Sequence, residues 1–313
     1  MKKKLIIDTD CGSDDAVALI MALREPRVEV KAITVTSGNC PMQQAAKNVL
    51  QSIYYAQTYQ PPVYKGTSLP LWCDYEDASQ VHGIDGMGDC PWLKRPEDKF
   101  EAEHAVDALI HYVKQEKGDL EILAIGPLTN IAAAILQDPQ TMRSISKLTV
   151  MGGAHPYNNP HTVSAEFNIM CDPEAAKIVF DSRIPITMCT LESCWGTMRF
   201  EEEDIQYFKE LNELGSFCMD INRVMINAAK KNRGVGSMDL PDAGAFASIT
   251  CPELIENCFD AFVRIETSGT YTRGATIFET KEHHYRNDFI PNCQVVTKID
   301  GVNFKKYLAN LIK

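Results

Sequence analysis

The sequence predicts an α/β fold: a single domain over residues 1–313, with a mostly parallel central sheet and helices on both faces. Two observations support this prediction. Short runs of β-branched residues alternate with segments whose apolar residues recur at helical spacing, which is typical of parallel sheets with crossover helices. The chain also contains no internal repeat and no linker rich in Pro, Gly and Ser, so one Rossmann-like domain is the simplest arrangement.

The predicted elements follow one another along the chain. Runs of β-branched residues predict strands at Lys4–Asp8, Val28–Thr36, Leu120–Ile125, Lys147–Met151 and Pro185–Thr190. Apolar residues at helical spacing predict helices at Asp14–Leu23, Gln43–Gln57, Glu103–Gln115 and Pro173–Asp181. The stretch Pro61–Pro96, rich in Gly, Pro, Asp and Trp, predicts a long functional loop. After Phe200 the pattern predicts mainly helix, and the chain ends in a strand at Cys293–Ile299 and a last helix.

The composition excludes some classes of function. The net charge of −11 gives a surface that repels phosphate backbones, so we expect no nucleic-acid partner. No apolar run approaches the ~20 residues that span a bilayer, so we expect no membrane contact and a cytoplasmic location. The eleven cysteines are scattered and include no CxxC pair, so we expect reduced thiols.

Aspartates cluster where the first predicted strand ends. Asp8, Asp10, Asp14 and Asp15 lie within eight residues, at a turn that also holds Gly12. Ligands of open α/β sheets bind beyond the carboxyl ends of the strands, so this turn is a candidate site. Asp14 and Asp15 could instead stabilise the N-terminus of the next helix by ~0.3–1 kcal/mol each, which leaves the other two aspartates unexplained. Closely spaced carboxylates need a cation, and hard oxygen donors in a flexible site favour Ca²⁺.

The same turn resembles a known family. Residues 8–16, Asp-Thr-Asp-Cys-Gly-Ser-Asp-Asp-Ala, resemble the amino-terminal fingerprint of inosine-uridine-type nucleoside hydrolases. Further matching motifs follow in order: Val35–Asn39, His82–Gly86, Ile125–Asn130, Met151–Gly153, Ala165–Asn168, Asp172–Ala176, Asp242–Ala243 and Thr272–Gly274. Because these motifs span nearly the whole chain, the resemblance implies the nucleoside hydrolase fold and cleavage of the N-glycosidic bond of ribonucleosides to ribose and free base.

The resemblance also implies which residues form the site. Ca²⁺ would be bound by Asp10, Asp15, Asp242 and the backbone carbonyl of Ile125, with Asp10 as the general base toward a calcium-bound water. The implied substrate-binding residues are Asp14 and Asn39 toward the ribose hydroxyls, Asn168 and Asn159 toward the sugar, Glu166 toward the 5′-hydroxyl, and Phe167 near the sugar or base. A loop that is one residue longer than in some members leaves Asn158 as an alternative to Asn159. Such cleavage passes through an oxocarbenium-like transition state, which nearby carboxylates stabilise.

One position departs from the family pattern. Many members have a histidine before the last metal-binding aspartate, whereas this chain has Pro241, which has no proton to give to the leaving base. We therefore expect a residue of the long loop to act as general acid, with His82 as the first candidate because its loop contains glycine and could close over the base. Trp195, Tyr271 and His161 are further candidates for stacking on the base or donating to it.

Two other functions stay open on the sequence alone. A haloacid-dehalogenase-type phosphatase would explain Asp8 and Asp10 but gives Asp242 no role. A catalytically weak ribose- or nucleoside-binding protein that keeps the calcium site would explain Pro241. The sequence leaves the preferred base open, and we expect a homodimer or a homotetramer with a small-molecule ribonucleoside as substrate.

Overall fold

A central sheet and surrounding helices make up most of the computed structural model, which describes residues 2–94, 96–154, 164–283 and 289–313. The strands are β1 Lys3–Thr9, β2 Val28–Val35, β3 Val63–Lys65, β4 Glu121–Ala124, β5 Lys147–Met151, β6 Ile186–Cys189, β7 Phe200–Glu201, β8 Ser237–Met238, β9 Ile255–Ile265, β10 Thr276–Glu279 and β11 Cys293–Ile299. The α-helices are α1 Ser13–Arg24, α2 Met42–Ala56, α3 Ser79–His82, α4 Ala105–Glu116, α5 Thr129–Gln137, α6 Pro139–Met142, α7 Phe167–Cys171, α8 Pro173–Phe180, α9 Glu202–Leu211, α10 Glu213–Asp220, α11 Arg223–Arg233, α12 Pro241–Thr250 and α13 Gly301–Ile312. Short 3₁₀ helices cover Leu191–Cys194, Gly196–Met198, Pro252–Leu254 and Lys281–His283.

The main sheet, within the described ranges, has nine strands in the order β10-β9-β11-β6-β5-β4-β1-β2-β3. From β11 to β3 every neighbouring pair is parallel, whereas β9 pairs antiparallel with both β11 and β10. This arrangement confirms the predicted single α/β domain with a mostly parallel sheet. Strands β7 and β8 form a separate antiparallel pair.

The predicted strands are all present, with ends that differ from the expectation by at most one residue. Strand β3 was not predicted and lies inside the long segment Pro61–Pro96. The sequence predicts mainly helix after Phe200, so strands β9 and β10 were not predicted either. In β9 the buried alternation is confined to the end of the strand, at Ala261, Val263 and Ile265. Its first half is largely exposed and polar, which hides the strand periodicity.

Two apolar cores lie on opposite faces of the sheet. On β1, Leu5 and Ile7 belong to the core that includes α1, α2, α12 and α13, whereas Ile6 belongs to the core that includes α4, α5 and α8. Successive side chains of a strand point to opposite faces, so one strand contributes to both cores. Helices therefore cover both faces of the sheet, as the sequence predicts.

The carboxyl ends of β1, β2, β4 and β5 meet at one edge because these strands are parallel neighbours. Two glycines allow the segments that follow the strands to approach closely. A Cβ at Gly38 would lie 2.0 Å from Asp10 Oδ2, and a Cβ at Gly126 would lie 2.8 Å from the Asp10 backbone nitrogen. Side chains at these two positions would therefore push apart the segments that follow β1, β2 and β4.

All eleven cysteines lie in the described part of the chain and are free thiols, as expected. Most of them are buried, which fits their use as small apolar side chains, and Cys258 is exposed. Among the described residues, no helix combines the length and the apolar character that crossing a membrane requires.

Candidate active site

The turn between β1 and α1 holds the carboxylate of Asp15 in place. Thr9 Oγ1 donates a hydrogen bond to Asp15 Oδ1 at 2.5 Å, and the Gly12 N–H donates to Asp15 Oδ2 at 2.8 Å. The Cys11 N–H donates to Thr9 Oγ1 at 3.0 Å, and Cys11 has a φ of 22°. This turn fixes a buried carboxylate at the N-terminus of α1, where the helix dipole favours negative charge.

Asn39, which follows β2, links two of the aspartates. Its N–H donates to Asp10 Oδ2 at 2.6 Å, and its side-chain Nδ2 donates to Asp10 Oδ1 at 3.2 Å and to Asp15 Oδ2 at 3.0 Å. An amide nitrogen carries two hydrogens and can therefore serve both carboxylates. Asn39 thus keeps Asp10 and Asp15 at a fixed separation.

Asp242, in the first turn of α12, approaches the same place. Carboxylate oxygens of Asp14, Asp15 and Asp242 lie within 4.8 Å of one another, and all three residues are buried. We call these three residues and Asp10 the carboxylate cluster. In the described parts of the chain no lysine or arginine pairs with the cluster, and Asp14 Oδ1 has no hydrogen-bond partner. Buried carboxylates without a countercharge fit a hard divalent cation, so the residues present can hold one.

Burial and mutual repulsion shift the protonation of the cluster. Burial, followed by the charges of neighbouring carboxylates, raises the pKa of Asp10 and of Asp242 well above the usual range. Burial also raises the pKa of Asp14 and of Asp15 to about 6. A bound cation would reverse this preference, because it favours the ionised form of each carboxylate.

Asp8 belongs to the same sequence motif but has other partners. Its Oδ1 accepts hydrogen bonds from Thr34 Oγ1 at 2.5 Å and from Asn130 Nδ2 at 2.9 Å. These bonds tie β1 to β2 and to α5, and burial raises the pKa of Asp8 to about 7. Asp8 therefore has a structural role, which the sequence pattern left unexplained.

A cavity of about 820 Å³ opens beside the carboxylate cluster, and Asp14, Asn39, Ile125 and Asp242 line it. Asn168 lines the same part of the cavity, and its Nδ2 donates to the Ile125 carbonyl at 3.4 Å. A carbonyl oxygen has two lone pairs, so this bond leaves the Ile125 oxygen able to accept a second partner. The structure thus brings the predicted carbonyl ligand to the same cavity as Asp14 and Asp242, whereas Asp10 and Asp15 lie outside the cavity lining.

Glu166 and Phe167 also lie on the cavity wall, at the start of α7. The Glu166 carboxylate accepts hydrogen bonds from the N–H groups of Gly153 at 3.0 Å, Asn168 at 3.0 Å and Ile169 at 3.2 Å. Burial raises the pKa of Glu166 to about 7. The carboxyl group is therefore fixed by backbone donors, and Phe167 beside it is half-buried.

His82, the last residue of α3, is buried on the cavity wall. Its Nδ1 lies 2.9 Å from Ser13 Oγ and 3.6 Å from Asp14 Oδ1. Ser13 Oγ donates to Asn222 Oδ1 at 2.8 Å, and the Ser13 N–H donates to His82 Nδ1 at 3.4 Å. Burial lowers the pKa of His82 to about 4, so the imidazole is neutral at neutral pH.

The remaining predicted base contacts have different positions. Trp195 and Pro241 line the cavity. Tyr271 is 86% exposed and lies outside the cavity lining. Asn159, its alternative Asn158, and His161 lie outside the described residues.

A further part of the cavity lining, which we call the outer wall, includes His82 and Trp195 together with residues that the sequence did not indicate. It is formed by α3, α11 and the segments that contain Trp195, Arg199, Met238 and Asp239. Helix α11 contributes Met225, Ala228, Ala229 and Asn232, none of them in a recognisable motif. The Arg199–Asp239 pair joins residues 40 positions apart, so no local pattern in the sequence indicates it.

Known proteins resemble this chain over its whole length. A family model described as inosine-uridine preferring nucleoside hydrolase matches residues 5–306. The pyrimidine-specific ribonucleoside hydrolase RihA of Salmonella paratyphi B is 31% identical over 315 residues, which cover 100% of this chain and 99% of RihA. A purine-preferring ribonucleoside hydrolase from Gardnerella vaginalis superposes with a TM-score of 0.87 and 32% identity, covering 99% of this chain and 98% of the other. A plant nucleoside hydrolase, PpNRh1, superposes with a TM-score of 0.91 and 28% identity, covering 100% of this chain and 99% of the other.

Proposed function

The chain belongs to the inosine-uridine preferring nucleoside hydrolase family and is a nucleoside hydrolase, and from this premise we propose that it hydrolyses ribonucleosides to ribose and free base with the help of Ca²⁺. The observation that carries the proposal is the buried carboxylate cluster beside a cavity of about 820 Å³. A cavity of this size suits a small-molecule ligand. The family match over residues 5–306 argues against a phosphatase and against a catalytically weak binding protein, because members of this family are hydrolases.

The proposed calcium ligands are the carboxylates of Asp10, Asp15 and Asp242 and the backbone carbonyl of Ile125. All are hard oxygen donors, which Ca²⁺ prefers over nitrogen and sulfur. Their burial without a countercharge among the described residues supports a resident cation. When bound, the ion would balance the carboxylates and lower the pKa of the attacking water.

The proposed sugar contacts that lie within the described residues line the cavity, and Asn159 is added to them on the family resemblance alone. Asp14 and Asn39 would bind the ribose hydroxyls, Asn168 and Asn159 the sugar, and Glu166 the 5′-hydroxyl, with Phe167 packing near the sugar or base. The buried, unpartnered Oδ1 of Asp14 supports its assignment, since a ribose hydroxyl would supply the missing hydrogen bond. The backbone donors that fix Glu166 support a fixed acceptor for one further hydroxyl.

In the proposed reaction Asp10 is the general base. It takes a proton from water while the water oxygen forms a bond to C1′, and the electron pair of the C1′–N bond leaves with the base. The two hydrogen bonds from Asn39, at 2.6 Å and 3.2 Å, would hold the Asp10 carboxylate in the orientation for this transfer. Positive charge that develops on the ribose would be stabilised by Asp14 and the other carboxylates of the cluster.

His82 is the proposed general acid for the departing base. Its position on the cavity wall, 3.6 Å from Asp14, supports this role. The imidazolium form is the stronger acid toward the departing base, and burial disfavours this charged form. We therefore expect the contribution of His82 to decline as the pH rises.

A panel of purine and pyrimidine ribonucleosides, followed by release of reducing sugar, tests the activity directly. We expect ribose and free base from at least one nucleoside, and no cleavage of any of them by calcium-loaded protein would overturn the proposal. One relative is named as pyrimidine-specific and another as purine-preferring, so the panel also decides the preferred base.

The metal is tested separately by elemental analysis of purified protein and by EDTA treatment. We expect bound calcium, loss of activity on chelation and recovery when Ca²⁺ is restored. Full activity in metal-free protein would contradict the proposed role of the ion. The cytoplasmic location of the protein and its assembly as a homodimer or homotetramer remain predictions.

A further inference from the structure

The outer wall of the cavity contains a fixed arginine whose position suggests a role with the base. Arg199 Nε and Nη2 donate to Asp239 Oδ1 and Oδ2, each at 2.9 Å. The two side chains are 20% and 22% exposed, and both line the cavity. A bidentate pair of this kind holds a guanidinium in one orientation while leaving three of its about five N–H donors for other partners.

Four elements, β7, β8, α11 and α13, fix this pair on the wall. Arg199 precedes β7 and Asp239 follows β8, and these two strands pair antiparallel. Lys305 Nζ donates to the Arg199 carbonyl at 2.7 Å, and the Asp239 N–H donates to Met225 Sδ at 3.4 Å, which connects the pair to α13 and α11. The guanidinium is therefore held independently of any ligand.

The pair also lies close to the carboxylate cluster. Asp239 is followed by Leu240, Pro241 and Asp242, so a short segment leads from the pair to a proposed calcium ligand. Burial is the main cause of the raised pKa of Asp14, and the charge of Asp239 adds to it. Arg199 lines the same cavity as Asp14 and Asp242, so a nucleoside whose ribose lies at the cluster would place its base in the remainder of that cavity, which includes Arg199.

Other arginines of the cavity are less suited to contact a base. The Arg273 Nη2 is paired with Glu174 at 2.7 Å and with Cys73 at 2.9 Å. Arg233 is exposed and donates to Ser237 Oγ. Arg199 has no side-chain partner other than Asp239 among the described residues, so it retains free donors.

We propose that Arg199, oriented by Asp239, binds an acceptor atom of the nucleoside base and stabilises the negative charge that forms on the base as the C1′–N bond breaks. The electron pair of that bond moves onto the base, where a carbonyl oxygen or ring nitrogen carries part of the charge. The released base then takes a proton from water or His82. A guanidinium does not lose its proton at physiological pH, so Arg199 acts as a fixed cation and hydrogen-bond donor. This assignment rests on the proposed function, and it supplies a leaving-group contact in a chain that has Pro241.

A structural role is the competing explanation, because the pair also joins the ends of β7 and β8. The two explanations differ in their dependence on the leaving group. p-Nitrophenyl riboside releases a stable phenolate that needs little help, whereas uridine and inosine release poor leaving groups. Damage to the fold or to ribose binding lowers the activity on both kinds of substrate, whereas loss of a contact with the departing base affects nucleosides selectively.

The experiment compares Arg199→Met with wild type on p-nitrophenyl riboside and on the best nucleoside of the panel. We expect kcat on the nucleoside to fall about 10²-fold, as for removal of one preorganised donor, and kcat on the riboside to change by less than about threefold. Arg199→Lys should recover part of the nucleoside activity. Arg264→Met removes a remote arginine paired with Glu279 at 3.2 Å, and it should leave both activities unchanged.

Asp239→Asn tests the positioning part of the proposal. It keeps the cation but weakens the bidentate contact, so we expect about a tenfold loss on the nucleoside and little change on the riboside. Equal losses on both substrates in Arg199→Met, or no loss on either, would overturn the assignment of Arg199. If wild type cleaves neither substrate, the proposed function itself fails, which is a distinguishable outcome.

Discussion

The carboxylate cluster and the outer wall of the same cavity are built in opposite ways. Asp10 and Asp15 are 0% exposed, and neighbouring strand ends hold them through direct hydrogen bonds. On the outer wall, α11 has no fully buried residue, and Arg199 is 20% exposed. Rigid strand ends suit groups that must meet a reacting atom, whereas a half-exposed helix tolerates substitution. The two regions therefore differ in how firmly the fold holds their side chains, and the carboxylate cluster is the more rigid of the two.

Among the substitutions proposed here, that of Asp10 in the carboxylate cluster should cause the largest loss of activity. Asp10→Asn removes both the proposed base and a proposed calcium ligand, so kcat should fall by about 10⁴–10⁵-fold. Steady-state release of ribose from the best nucleoside measures this. A loss below about tenfold, equivalent to about 1.4 kcal/mol, would mean that Asp10 has neither role.

Asp8→Asn is the matched control for this substitution. Asp8 is a buried aspartate within β1, two residues before Asp10, and its Oδ1 accepts from Thr34 and Asn130. An asparagine oxygen can accept the same bonds. We expect kcat to change by less than about threefold, because no contact of the cavity is removed. A loss comparable to that of Asp10→Asn would show that the experiment reports on the fold of the turn rather than on catalysis.

The second prediction concerns the substrate rather than the protein. A 2′-deoxynucleoside lacks a hydroxyl that would ligate Ca²⁺ and would pair with the buried Asp14 carboxylate. Sites that hydrogen-bond a substrate hydroxyl reject analogues without it strongly, so kcat/KM should fall by about 10³–10⁴-fold. Comparable kcat/KM values for a nucleoside and its 2′-deoxy form would move recognition from the carboxylate cluster to the outer wall.

The same contrast explains what the sequence could predict. Asp10, Asp14, Asp15 and Asn39 follow strands β1 and β2, so alternation of strands and helices places them at one edge of the sheet. The mostly parallel sheet follows from that alternation as well. The family motifs then identified Asp242, which lies far along the chain.

The Arg199–Asp239 pair of the outer wall could not be predicted from the sequence in this way. Arg199 and Asp239 meet only because β7 and β8 pair, and these strands are two residues long. Such short strands have no periodicity to detect. Strand β9 was missed because its first half is exposed and polar, and the structural role of Asp8 became clear only from its contacts with Thr34 and Asn130.

The third prediction concerns His82, the proposed general acid on the outer wall. His82→Ala should lower kcat on uridine or inosine by about 10²-fold and leave p-nitrophenyl riboside almost unaffected, since general-acid help matters only for poor leaving groups. The pH profile separates this residue from Arg199. Because burial lowers the pKa of His82 to about 4, its contribution as an acid should shrink as the pH rises, whereas loss of Arg199 should leave the shape of the profile unchanged. Equal losses on both substrates would instead assign His82 to ribose binding or to closure of its loop.

The last prediction tests whether the carboxylate cluster strains the metal-free protein. Burial raises the pKa of Asp14 and of Asp15 to about 6 in the fold, whereas an unfolded aspartate has a pKa of about 3.9. Between these values the folded state binds more protons than the unfolded state, so the free energy of unfolding falls as the pH rises, by up to about 1.4 kcal/mol per pH unit for each group. EDTA-treated protein should therefore have a lower Tm at pH 7 than at pH 5. Ca²⁺ binds the ionised carboxylates, so the rise in Tm that it produces should grow over the same range. Asp15→Asn removes one of these charges and should flatten the pH dependence of the metal-free protein. A metal-free Tm that rises with pH, or a calcium effect independent of pH, would contradict a raised pKa of these carboxylates in the metal-free fold.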